Sequence, residues 1–144
     1  MPETYDQAYI FVPMLAVVLL TYIAMFRMIA ARGRAMKEGT SLDYYRAHLG
    51  PSEPEYAVAA ARHVDNLLEG PTLFYAACVT AYVLGAVGLW TVLFAWGYVL
   101  FRVIQSVVHM TSNKVMIRGM SYGLSMLFLG AMWVCLAMVV FARI

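Results

Sequence analysis

The stretch WTVLFAWGYVLFRVIQSVVHM, Trp90–Met110, decides the fold. It is long enough to cross a bilayer, which takes about 20 apolar residues. Tyr98, Arg102, Gln105 and His109 interrupt it at intervals of four, three and four residues. In a helix that spacing lines them along one stripe. An arginine at membrane depth is costly unless it faces protein or a wet cavity and finds a partner. The stripe therefore predicts a membrane helix whose polar side turns inward. A short polar loop, Thr111–Lys114, follows, and then Arg118 opens the next apolar run.

Composition extends this reading to the whole chain. Of its 144 residues, 63% are hydrophobic and 12% are charged. Soluble domains are roughly half apolar and a quarter charged, so the class is integral membrane protein. A net charge of +2 is too small to argue for nucleic acid, and no basic run or RNA motif appears. No zinc-ligand spacing is present either, so neither nucleic acid nor a metal is expected. Cys78 and Cys135 fall inside apolar runs and read as small buried hydrophobes, not as a disulfide or metal pair. Glu3 and Asp6 precede the first apolar run. A signal peptide starts basic and has a shorter core, so this run is expected to remain as a span.

Four spans are expected, at about 8–28, 56–84, 90–111 and 115–141, in a single domain covering 1–144. Arg32–Pro54 is the longest polar segment, a loop with a short interfacial helix at Ser41–Leu49. His48, and His63 further on, read as interfacial side chains. Ser52 and Glu55 have capping-box spacing, with Pro54 in the first turn. A helix should run from Glu55 to about Gly85, kinked at Gly70–Pro71. Gly119, Gly123, Gly130 and Ala131 predict close helix contact on the last span. Lysine and arginine concentrate in the first and third loops and are absent from the second. The positive-inside rule then puts those two loops in the cytoplasm and both termini on the other side. The expected fold is an all-α, up-and-down four-helix transmembrane bundle.

A second polar stripe, Arg62, Asn66 and Glu69, begins span two, and Glu69 is the natural partner for Arg102. Buried polar groups can serve only to fix helix register, but roughly two or three suffice for that. Here Arg62, Asn66, Glu69, Arg102, Gln105, His109 and Arg118 all fall toward one leaflet. All are expected to turn inward and form a wet, anion-receiving pocket facing the cytosol. A lipophile could reach that pocket from the bilayer. The geometry suits conjugation of a polar thiol to a lipophile, or binding of a phospholipid headgroup.

These residues resemble the membrane-associated proteins in eicosanoid and glutathione metabolism. The span-two motif is Arg62-His-Val-Asp-Asn66-Leu-Leu-Glu69, followed by Pro71 and Phe74. The span-three motif is Arg102, Gln105 and His109, with a second arginine at Arg118. The chain looks like a divergent, bacterial-type member, which implies an inner-membrane location and a homotrimer of four-helix subunits. It also implies glutathione as co-substrate, bound between subunits by Arg27, Arg62, Asn66, Glu69, Arg102 and Gln105. Arg118 would stabilise the thiolate and His109 would line the catalytic site. The implied activity is a glutathione-dependent transferase or peroxidase acting on lipophilic electrophiles or lipid hydroperoxides. Three positions depart from the family's catalytic pattern. Gln105 stands where histidine is frequent, His109 where tyrosine is, and Gly119 where some members have serine. Asp65 also replaces an often basic residue. These departures motivate the alternative: a non-catalytic scaffold or phospholipid-binding protein on the same bundle.

Overall fold

A computed structural model describes residues 6–144 of the chain, so the reading of Glu3 lies outside the described residues. Every regular element among them is helical. A single 3-10 turn, Gln7–Ile10, leads into α1, Phe11–Lys37. Then come α2, Leu42–Ala47, α3, Glu55–Glu69, and α4, Thr72–Val83. Two long helices complete the chain: α5, Leu89–Met110, and α6, Val115–Phe141. Three described helical stretches are long and apolar enough to span a membrane: Gln7–Lys37, Leu89–Met110 and Val115–Phe141.

The chain divides into two compact units, one comprising the chain up to Leu19 with Gly70–Ile144, the other Leu20–Glu69. The core of the first is apolar. Ile10, Val17, Phe74, Ala77, Cys78, Ala81, Ala95, Val99, Leu129, Met132 and Leu136 are all buried in it. Small side chains on α4 and α5 let helices approach closely, the usual currency of packing within a membrane. Cys78 and Cys135 are free thiols, the first buried and the second half-buried. The turn between α4 and α5 is pinned by side chains from far along the chain. Gln7 donates its amide N–H to Val87 O at 3.3 Å and accepts from Val87 N at 3.0 Å. Arg143 donates to Leu84 O. Thr91 Oγ1 bonds Ala86 O at 2.9 Å, closing the start of α5.

In the second unit, Leu20 and Ala24 of α1 pack on Val64 and Leu67 of α3. Two boundaries differ from the sequence expectation. First, α1 continues six residues into the segment read as a loop, ending at Lys37. Ala30, Ala31 and Ala35 are strong helix formers, and Arg34 and Lys37 in the last turn suit the negative end of the helix dipole. Gly39, at φ 107°, then ends it. Thr40 N bonds back to Ala35 O at 3.0 Å, a closure that needs a residue tolerant of positive φ. Second, the helix expected from Glu55 to about Gly85 is two helices, parted at the expected kink, Gly70–Pro71. Pro71 has no N–H to donate, and it caps α4 instead, its carbonyl accepting from Tyr75 N at 2.9 Å. At 1.5 Å per residue, α4 by itself extends about 18 Å, well short of a ~30 Å hydrocarbon core. At the start of α3 it is Pro54 O that accepts, from Ala57 N at 2.9 Å and Val58 N at 3.1 Å. The short helix within the loop is α2, capped by Ser41 Oγ accepting from Tyr44 N at 3.3 Å.

Candidate functional site

The α5 stripe turns inward as its spacing requires. Tyr98, Arg102 and Gln105 are buried, and His109, near the helix end, is half-buried. Arg102 is 0% exposed, the largest fully buried side chain. Its Nη1 donates to Gln105 Oε1 at 2.9 Å. Its guanidinium lies 5.8 Å from the Tyr98 ring centre and 5.4 Å from that of Tyr122 on α6. Tyr98 in turn stacks on Phe74 of α4 at 4.2 Å. A buried guanidinium is tolerated when hydrogen bonds and ring faces replace water. Within its own unit, Gln105 and two tyrosines are among the groups that hold Arg102.

About two helical turns further along, near 10 Å by helix rise, a second group forms where α5 turns into α6. Arg118 is half-buried in the first turn of α6. Its Nη1 donates to Asn113 Oδ1 at 2.6 Å and lies 3.5 Å from His109 Nε2. Two of the expected catalytic residues, His109 and Arg118, are therefore brought together. Asn113, which the sequence reading passed over as loop, joins them. It sits at φ 47°, with its N–H bonded to Val108 O at 2.7 Å.

In the second unit the polar residues of α3 lie on the side away from its buried face in the single chain. Arg62 and Glu69 are exposed and Asn66 is half-buried. The reason is ordinary amphipathicity: Ala57, His63, Val64 and Leu67 take the buried face, leaving 62, 65 and 69 opposite. His63, read as interfacial, is only 3% exposed. Arg27 is exposed and lines a cavity of about 350 Å³ with Ala30, Ala31, Arg34, Tyr56 and Ala60. Beside it, the polar segment after α1 is strapped down. Glu38 pairs with Arg34 Nε at 2.6 Å and accepts from Tyr56 Oη at 2.6 Å. Glu53 is buried and pairs with Arg32 Nε at 3.5 Å. Among the described residues no group of three His, Cys, Asp or Glu side chains could hold a metal ion.

The Tyr56 hydroxyl, and then Arg34, hold the Glu38 carboxyl below its ordinary value of 4.5. A depressed carboxylate supports the fold above its unfolded pKa and loses that support as pH falls through the folded one. Amide exchange across residues 38–56, corrected for intrinsic rates, should accelerate as the pH falls below the ordinary carboxylate range. Glu38→Gln should exchange faster already at neutral pH and show no such step. A step of undiminished size in the variant would assign the acid sensitivity elsewhere.

Long apolar helices, a guanidinium sealed inside them and a basic cluster at one helix turn define a multi-pass helical integral membrane protein. The chain belongs to the MAPEG family: the model described by that name matches residues 10–138. No curated protein and no solved structure matches it. Membership points to a membrane function related to glutathione or eicosanoid metabolism.

Proposed function

We propose that the protein is a glutathione-dependent transferase or peroxidase acting on lipophilic electrophiles or lipid hydroperoxides. The observation that carries this reading is the Arg118 guanidinium, held at 2.6 Å by Asn113 and beside His109 at 3.5 Å. In the family's catalytic members the matching arginine lies by the thiol. A thiolate is the attacking species, and an adjacent guanidinium lowers the thiol pKa. A drop of ~2 units corresponds to about 2.7 kcal/mol and leaves most of the thiol ionised near neutrality. With an aryl halide, the thiolate sulfur forms the new C–S bond and the halide departs with the electron pair. The thiol proton goes to solvent.

Arg62, Asn66, Glu69, Arg27, Arg102 and Gln105 are proposed to hold the peptide in a homotrimer. The exposure of Arg62 and Glu69 in the single chain supports this, since a ligand bound between copies could reach them. Four crossings with both termini outside a bacterial inner membrane complete the reading. It is supported by Gln7 and Arg143 both bonding the α4–α5 turn. One observation favours the non-catalytic, phospholipid-binding alternative: Gln105 Oε1 is already taken by Arg102. The deciding experiment adds glutathione to the purified protein at neutral pH and follows ultraviolet thiolate absorbance. A saturable signal is expected. No signal, with a phospholipid that glutathione does not displace in native mass spectrometry, would overturn the enzyme in favour of the alternative.

A further inference from the structure

We infer that Asn113 is a positioning residue that aims the Arg118 guanidinium at the thiol, an inference that rests on the proposed role of Arg118. Asn113 occupies a backbone position that glycine takes most easily and asparagine next. Its φ of 47° lies in the left-handed region, and at a helix C-terminus that conformation favours glycine. The backbone work of the turn is done by main-chain atoms. Asn113 N donates to Val108 O at 2.7 Å, and Thr111 N donates to Val107 O at 3.0 Å. A glycine would make the same bonds with less strain. What glycine lacks is the carboxamide oxygen, and that oxygen accepts from Arg118 Nη1 at 2.6 Å, five residues on and across the turn.

The bond also sets direction. Arg118 is the first basic side chain inside α6, and its long stem could reach many orientations. Asn113 Oδ1 and, at 3.5 Å, His109 Nε2 both meet Nη1, and together they hold that arm of the fork at the α5–α6 turn. The Asn113 contact is the short one, and it joins a charged donor to a neutral acceptor, the stronger kind of hydrogen bond. Without it the guanidinium keeps a contact at the limit of hydrogen-bond distance.

The test is Asn113→Gly in the full-length protein, because this change keeps or eases the backbone and removes only the amide. Thermal unfolding in detergent should be no lower than wild type. The kcat with an aryl halide should fall by ~10-fold, the scale of a lost bond to a charged group, with KM for glutathione within about twofold. The thiolate signal at saturating glutathione should fall in parallel. Placed on an Arg118→Ala background, Asn113→Gly should change the residual rate by less than about twofold, since its effect runs through the guanidinium. A variant with wild-type kcat and thiolate signal overturns the inference and leaves Arg118 in its role. An equal loss on both backgrounds overturns it too, showing a merely structural turn. A wild type that forms no thiolate overturns the reading of Arg118 first, and Asn113 with it.

Discussion

Arg118→Ala is expected to cut the initial rate of glutathione conjugation by about 25-fold at pH 7, and by less than about twofold at pH 9. The pH dependence is the informative part. A thiol at its ordinary pKa of roughly 8.5 is only a few per cent ionised at pH 7, whereas one lowered by ~2 units is mostly thiolate. Removing the guanidinium returns the thiol to the first condition. Raising the pH then supplies by mass action what the cation no longer supplies by proximity. Arg118→Lys keeps the charge and loses the planar fork that Asn113 receives, so it should fall between wild type and alanine. Initial rates against pH for the three proteins check this. A loss that stays the same from pH 7 to pH 9 would mean that Arg118 acts on the leaving group or on binding. No loss at all would remove it from the site.

Gly97→Val should destabilise the protein by about 3 kcal/mol, and Gly97→Ala by about 1 kcal/mol. A Cβ built at Gly97 would sit 2.3 Å from Phe128 Cδ1 and 2.8 Å from its Cγ, so the collision is with the root of the ring as well as its edge. The ring has little room to retreat. Phe101 stacks against it at 5.6 Å and Phe94 lies at 6.4 Å. Alanine also gains ~1 kcal/mol of helix propensity over glycine, which offsets part of the strain. Valine adds bulk without that gain. Chemical unfolding in detergent measures both. In a Phe128→Leu background the cost of Gly97→Ala should shrink, because the two positions share one space. An undiminished cost there would place the strain in the helix backbone instead.

The α5 stripe was legible because a 3.6-residue period is strong where everything else is apolar. Tyr98, Arg102 and Gln105 had one buried side available, and they took it. α3 was less legible because two rules compete there. Charges at membrane depth turn inward, whereas an amphipathic helix buries its apolar side. Arg62, Asn66 and Glu69 share one face under either rule, so spacing could not choose between them. Val64 and Leu67, packed on Leu20 and Ala24, chose. The sequence likewise announced a disturbance at Gly70–Pro71 but not its size, because a proline can kink a helix or end it according to what surrounds it. Asn113 left no periodic trace. Its role depends on one left-handed residue and one side chain reaching across a turn, and only coordinates reveal that. An asparagine just past a helix C-terminus was the one available hint.

The paired amide contacts between Gln7 and Val87 close a ring of chain 80 residues around. Drawing together the ends of so long a loop costs about 4 kcal/mol in entropy, while two neutral hydrogen bonds return roughly 1 kcal/mol each. The clasp cannot gather the polypeptide by its own strength. It depends on packing around Ile10 and Val17 to hold Gln7 in its seat, and reports that packing rather than creating it.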